Sequence, residues 1–298
     1  MSFILSCEST VDLPFSYVDG RGIPVLFYSY RVDGEDYPDD MGRDPSALGR
    51  FYSFLAQGKM PTTSQLNTYA YLEFMEPLVQ KGDLLHIAFG SGMTASVNNA
   101  FTAAEMLREK YPERRIVVID SLCSSSGYGM LVDTAADMRD EGRSMEETEQ
   151  WVLANRKNVH HQFFSTQLDH YRRSGRMSGP TAMIASILGI CPIMRLDDGG
   201  HIIAYDKVRG KSAAIKRTVD TMEKHVRDGK NYNGKCWICH SNCLETAEQL
   251  REAVKERFRS IKGEIRICDI GTIIASHCGP GTAAVFFFGD ERLPETAK

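Results

Sequence analysis

The sequence predicts an α/β protein of two domains: an N-terminal three-layer α/β/α domain on a parallel sheet, and a C-terminal two-layer α+β domain with a mixed sheet. Three observations predict it. Strand-like and helix-like segments alternate through the first half, the β-α-β order of a parallel sheet covered on both faces. In the second half Asp197-Asp198-Gly199-Gly200 separates two apolar runs, a hairpin signal foreign to a purely parallel sheet. The chain has 298 residues, 42% hydrophobic and 25% charged, enough for two cores of ordinary size. We expect the domains to span 1–162 and 163–298.

Apolar runs and periodicity place the elements in order. Residues 3–7 and 23–30 read as strands, 45–56 and 68–80 as helices. Residues 84–89 (LLHIAF) form an unbroken apolar strand, 95–111 an amphipathic helix and 116–119 a strand. Residues 127–139 and 145–159 read as helices. Beyond the boundary, 192–196 and 201–205 form the hairpin. A helix over 212–227, a strand over 235–239, a helix over 244–259, a strand over 264–269 and a final apolar strand over 283–288 complete the order.

Composition narrows the function classes. A net charge of -4 and a pI near 6.1 lack the basic excess of a nucleic-acid binder. No apolar run approaches the ~20 residues that cross a bilayer. The first residues, MSFILSCEST, carry no basic n-region, and their apolar stretch is too short for a signal peptide. We expect a cytoplasmic protein whose eight cysteines are reduced and mostly buried as small apolar residues.

The most informative stretch is 87–100, IAFGSGMTASVNNA, where glycines and hydroxyls fall at a strand-to-helix handover. Free N–H groups at such a point attract an anion, helped by the helix dipole. Gly90 to Ala95 also fits G-x-G-x-x-A, with Asp120 ending the next strand, the context of a dinucleotide fingerprint. The alternative function is therefore an NAD-type enzyme using this turn. The same residues also read as a tight turn capped by Ser91 or Thr94. A second hydroxyl cluster, Thr62, Thr63 and Ser64, precedes a helix. His277 lies in a glycine-rich segment, where it is either packed near a turn or a donor to an anion. Arg176, in the cluster Arg172, Arg173 and Arg176, is the best candidate for an internal role. His160 and His161 are expected at a helix end, where positive charge is favourable.

Cys236-x-x-Cys239-His240, extended by Cys243, spells a haem-attachment or metal motif. The same residues read as a strand that points Cys236 and Cys239 to opposite faces, unsuited to one metal. We expect neither metal nor cofactor. No G-x-S-x-G elbow, Walker loop or H-E-x-x-H is present. Hydroxyls, one histidine and arginines bind carboxylates or phosphates better than they cleave bonds.

Over essentially its whole length the chain resembles the DegV family. The motifs that carry the resemblance occur in family order: Ser9-Thr10-Val11-Asp12-Leu13-Pro14 after the first strand, Thr63-Ser64-Gln65, Ser91-Gly92-Met93-Thr94, then Asp120-Ser121 with Ser126-Gly127-Tyr128-Gly129. Ser174-Gly175-Arg176-Met177-Ser178, Cys191-Pro192-Ile193-Met194, Lys207-Val208-Arg209 and His277-Cys278-Gly279-Pro280-Gly281 follow. Thr94 stands where the family commonly has serine, and Leu66-Asn67 where it commonly has Pro-Ser. The resemblance implies a non-catalytic fatty-acid-binding protein of two α/β domains, the binding subunit of a two-component fatty acid kinase in phospholipid metabolism. A separate ATP-binding partner would phosphorylate the carboxylate of a long-chain fatty acid, with at most transient membrane contact. The ligand-binding residues it implies are Thr63, Ser64, Ser91, Gly92, Thr94, Arg176 and His277. Arg209 would face the kinase or the head-group region.

Overall fold

Residues 3–176 and 189–294 are described by the computed structural model. In chain order the elements are β1 (Ile4–Glu8), α1 (Phe15–Gly20), β2 (Val25–Leu26), β3 (Ser29–Val32), β4 (Glu35–Pro38), α2 (Ala47–Ala56), β5 (Thr62–Thr63) and α3 (Thr68–Val79). Next come β6 (Leu84–Ala88), α4 (Ser96–Lys110), β7 (Ile116–Asp120), α5 (Ser125–Asp140), α6 (Met145–Asn155), β8 (Val159–Ser165) and α7 (Asp169–Ser174). The remainder is β9 (Ile190–Leu196), β10 (Ile202–Arg209), α8 (Lys211–His225), β11 (Cys236–His240), α9 (Leu244–Arg257), β12 (Arg266–Asp269), α10 (Thr272–Cys278) and β13 (Thr282–Phe288).

The parallel sheet has the order β2-β1-β6-β7. Its strands are short apolar runs because both faces are covered. Leu84 and Ala88 face Tyr71, Met75 and Val79 of α3 and Ala100 and Leu107 of α4, whereas Leu85 and Ile87 join the core around α5. The mixed sheet has the order β10-β9-β8-β13-β11-β12, antiparallel except for β11 beside β12. Period-2 alternation sorts its side chains. Phe164, Ile193, Ile238 and Val285 pack under α8 and α9, while Phe163, Met194, Cys239, Ala284 and Phe286 face the other way.

That second face meets α5, which is buried from Ser125 through Asp133 and packs against β1 as well as against β8, β11 and β13. One helix thus serves as a layer for both sheets. Gly127 permits the approach, since a Cβ there would lie 2.4 Å from His161 Nε2 and 2.7 Å from Phe286 Cδ1. α6 starts where Ser144 and Glu147 form a reciprocal capping box.

Several expectations need correction. The helix expected to reach residue 159 ends at Asn155, and Val159 opens β8 instead. The strand expected over 23–30 splits into β2, in the parallel sheet, and β3, in a small antiparallel sheet ordered β4-β3-β5. The boundary expected between 162 and 163 lies within β8, Val159–Ser165. His160 and His161 lie on that strand, buried, and not at a helix end. Burial holds both imidazoles well below their ordinary titration range, so they are neutral.

All eight cysteines are free; seven are buried and Cys243 partly so. Cys236 and Cys239 enter different cores on opposite faces of β11, as the strand reading expects. Among the described residues no helix is long and apolar enough to cross a membrane.

Candidate functional site

In an open parallel sheet, ligands sit outside the carboxyl ends of the strands where the strand order reverses. Here β1 has β2 on one side and β6 on the other, so the reversal lies at Glu8 and Phe89. A cavity of about 930 Å³, open mouth included, occupies that place. One wall is the parallel-sheet end, with Tyr28, Phe89, Met93 and Thr94. The opposite wall is the mixed sheet, with Phe163, Leu196, Ile202, Ala284 and Phe286. Ile273, Ile274 and His277 of α10 close a third side.

Polar groups gather at the mouth. Thr63 Oγ1 lies 2.8 Å from His277 Nε2, across 214 residues of chain. Ser64 and Arg176 are exposed beside them, and Thr94 is half-buried. Burial, reinforced by the Arg176 charge, pushes the His277 pKa down to about 4. A neutral imidazole and a hydroxyl therefore share one hydrogen bond, and either turns to a ligand at small cost.

Each mouth residue is placed by local structure. Thr63 pairs with Tyr30 across β3 and β5. Thr94 Oγ1 accepts the Ser96 N–H at 3.2 Å, fixing the entry to α4. His277 sits in the last turn of α10, just ahead of the Gly279 cap. Two buried carboxylates from distant segments cap that helix: Asp12 Oδ1 accepts the Gly271 N–H at 2.9 Å, and Asp39 Oδ1 accepts the Thr272 N–H at 3.1 Å. Burial, above all, raises both acids, with Asp39 pushed up to about 6.

Behind the Tyr28 wall lies a buried carboxylate, Glu8. It accepts hydrogen bonds from Tyr71 Oη at 2.5 Å, Tyr28 Oη at 3.2 Å and the Phe89 N–H at 3.1 Å. His86 Nε2 is 3.4 Å away. This network fixes the strand ends that shape the cavity floor.

A family model described as "Uncharacterised protein, DegV family" matches residues 4–290. The chain belongs to the DegV family. A DegV domain-containing protein of Clostridium perfringens is 36% identical over 293 residues, covering 98% of this chain and 99% of the relative. Among solved structures, a fatty-acid-binding DegV family protein from Thermus thermophilus matches with a TM-score of 0.84 at 22% identity, covering 97% of this chain and 100% of that one. A stearic acid-binding protein from Eubacterium ventriosum also matches at 0.84, with 21% identity and coverage of 96% and 98%. At these identities the likeness establishes the shared fold.

Of the seven ligand-binding residues that the DegV resemblance implied, Thr63, Ser64, Thr94, Arg176 and His277 line one cavity. Ser91 and Gly92 do not line it. Ser91 is exposed, and its N–H donates to Asp120 Oδ1 at 3.0 Å. Gly92 abuts the hairpin, for a Cβ there would meet Gly200 backbone atoms at 2.4 Å. The turn's glycine is thus spent on packing, and Asp120 on the Ser91 and Leu122 N–H groups. Arg176 lines the cavity from an exposed position at the rim, where its charge acts on His277, and it donates to the Ser174 carbonyl at 2.5 Å. Met177 and Ser178 of the same motif lie outside the described residues. Arg209 ends β10, exposed and paired with Ile190, at the opposite end of the strand from the cavity residue Ile202. Sequence reasoning missed Glu8, although an acid closing an apolar strand is a usable signal. It also missed Tyr28, Phe163 and Ile273, which look like any core residue.

Proposed function

We propose that this chain is a non-catalytic cytoplasmic binding protein that holds a long-chain fatty acid and presents it to a separate ATP-binding kinase subunit. The carrying observation is a single cavity that joins the Thr63–His277 mouth to an apolar interior of Phe163, Leu196, Ile202 and Phe286. An acyl chain entering such a space gains roughly 0.8 kcal/mol per methylene. Its carboxylate is costly to bury unless hydrogen-bonded, and Thr63, Ser64, Thr94 and His277 supply donors at the open end. Arg176 adds positive charge at the rim. The structural relatives from Thermus thermophilus and Eubacterium ventriosum, described as binders of fatty acid and stearic acid, support the same ligand class.

The exposure of Ser64 and Arg176 leaves the head group reachable from outside, which a phosphoryl donor on another protein requires. In this reading the partner brings ATP and the transfer chemistry. Arg209 belongs to the partner-facing surface, and membrane contact is at most transient. Mass spectrometry of an organic extract of the purified protein tests the ligand class. The expected result is a long-chain fatty acid near one per chain, rebinding after removal. Ligand-free preparations that also refuse added fatty acid would overturn the proposal.

A further inference from the structure

On the face of the mixed sheet turned away from the cavity, three metal-ligating side chains meet where β8 begins, α8 ends and the chain leaves β13. His160 Nε2 lies 3.0 Å from Asp290 Oδ1, and His225 Nδ1 lies 2.9 Å from the same oxygen. All three donor atoms fall within 4.8 Å of one another. From this geometry we propose a site for a divalent transition ion of the zinc class, held by His160, His225 and Asp290.

The spacing fits the ion. Zinc binds imidazole and carboxylate at ~2.0–2.1 Å, which sets tetrahedral ligands about 3.3 Å apart, so the two short separations open by a few tenths of an ångström and the two imidazole nitrogens, within 4.8 Å of each other, come to the same spacing. The backbone holds the donors in place. The Asp290 N–H donates to the His225 carbonyl and the Gly289 N–H to the Asn158 carbonyl, both at 2.9 Å. Residue 289 is glycine because a Cβ there would meet the His225 carbonyl oxygen at 2.5 Å and His160 Cδ2 at 2.9 Å. His160 is buried, with its ring stacked on Phe287 and His225, whereas Asp290 is 59% exposed. One side of the ion would therefore stay open to water or a further ligand.

Two imidazoles with one carboxylate select zinc, nickel, copper or cobalt over calcium and magnesium, which prefer oxygen. Ligation uses the neutral imidazole rings. Arg292 opposes a cation here, but its guanidinium is tied to the carbonyls of Leu122, Arg156 and Lys157. Bound metal would clasp the chain after β13 onto α8.

The test is calorimetric titration of the tag-free, chelator-treated full chain with zinc chloride, alongside His225→Asn and Asp290→Asn. Both variants change partly exposed side chains and leave buried His160 in place. The expected result is one zinc per chain, a higher Tm with the ion, and affinity lowered more than about tenfold in each variant. Cobalt(II) in place of zinc should give a d–d absorption band that both variants lose. Absence of stoichiometric binding, or binding unchanged in both variants, would overturn the proposal, the second outcome placing the ion elsewhere, on the thiols.

Discussion

His277 carries the most weight among single residues, because its protonation state and its hydrogen bond to Thr63 decide what the mouth offers a ligand. A free imidazole titrates near 6.5, whereas burial and Arg176 push His277 to about 4. The folded protein therefore refuses a proton that the unfolded chain accepts between those values. This group's contribution to stability is present above pH 6.5 and is lost as the pH falls towards 4. A carboxylate placed beside Nε2 favours the imidazolium and raises the midpoint. NMR titration of the His277 ring should thus give a midpoint near 4 in ligand-free protein and a higher one with oleate bound. A ligand-free midpoint at 6.5 or above, or one indifferent to oleate, would contradict the assignment. The candidacy of His277 was legible in the sequence only as a histidine among glycines. The partner that makes it useful stands 214 residues away, and no local pattern encodes that contact.

Among elements, α5 and β8 explain both what was readable and what was not. The run Ser126-Gly127-Tyr128-Gly129 announces a helix poorly, since glycine costs about 1 kcal/mol there relative to alanine. Its reason is steric: Gly127 brings α5 against His161 and Phe286, and at Gly129 a Cβ would lie 2.6 Å from the Val11 carbonyl oxygen. Gly127→Ala should lower stability by about 1–3 kcal/mol despite the gain in helix propensity, as overpacking does in cores. Urea unfolding checks this, and an unchanged or raised midpoint would mean that the two layers are not in contact there. β8 escaped notice because its first half, Val159-His160-His161-Gln162, is polar yet buried. His161 bonds to Val159 and Ser124, and Gln162 Oε1 accepts from Tyr205 Oη, so polar side chains fill buried positions and the alternation of apolar and polar residues that marks a strand is missing. Where strands are plainly apolar, as in Leu84–Ala88 and Thr282–Phe288, the pattern alone suffices.

For the molecule as a whole, the two sheets were legible because each rests on a simple signal: alternation of strand and helix for the parallel one, a hairpin for the mixed one. The site was legible only in part. Thr63, Ser64, Thr94, Arg176 and His277 come together, while the turn that looked most like a phosphate cradle is taken up by the hairpin packed on Gly92. The cavity belongs to neither half alone, for its walls come from the parallel sheet, the mixed sheet and α10. The central claim is that this space holds a fatty acid head-outward. A crystal structure with a terminally brominated long-chain fatty acid tests it most directly. The bromine is expected among Phe163, Leu196, Ile202 and Phe286, and the carboxylate within hydrogen-bond distance of Thr63 or His277. Bromine at the mouth, or a cavity that stays empty while the acid binds elsewhere, would contradict it.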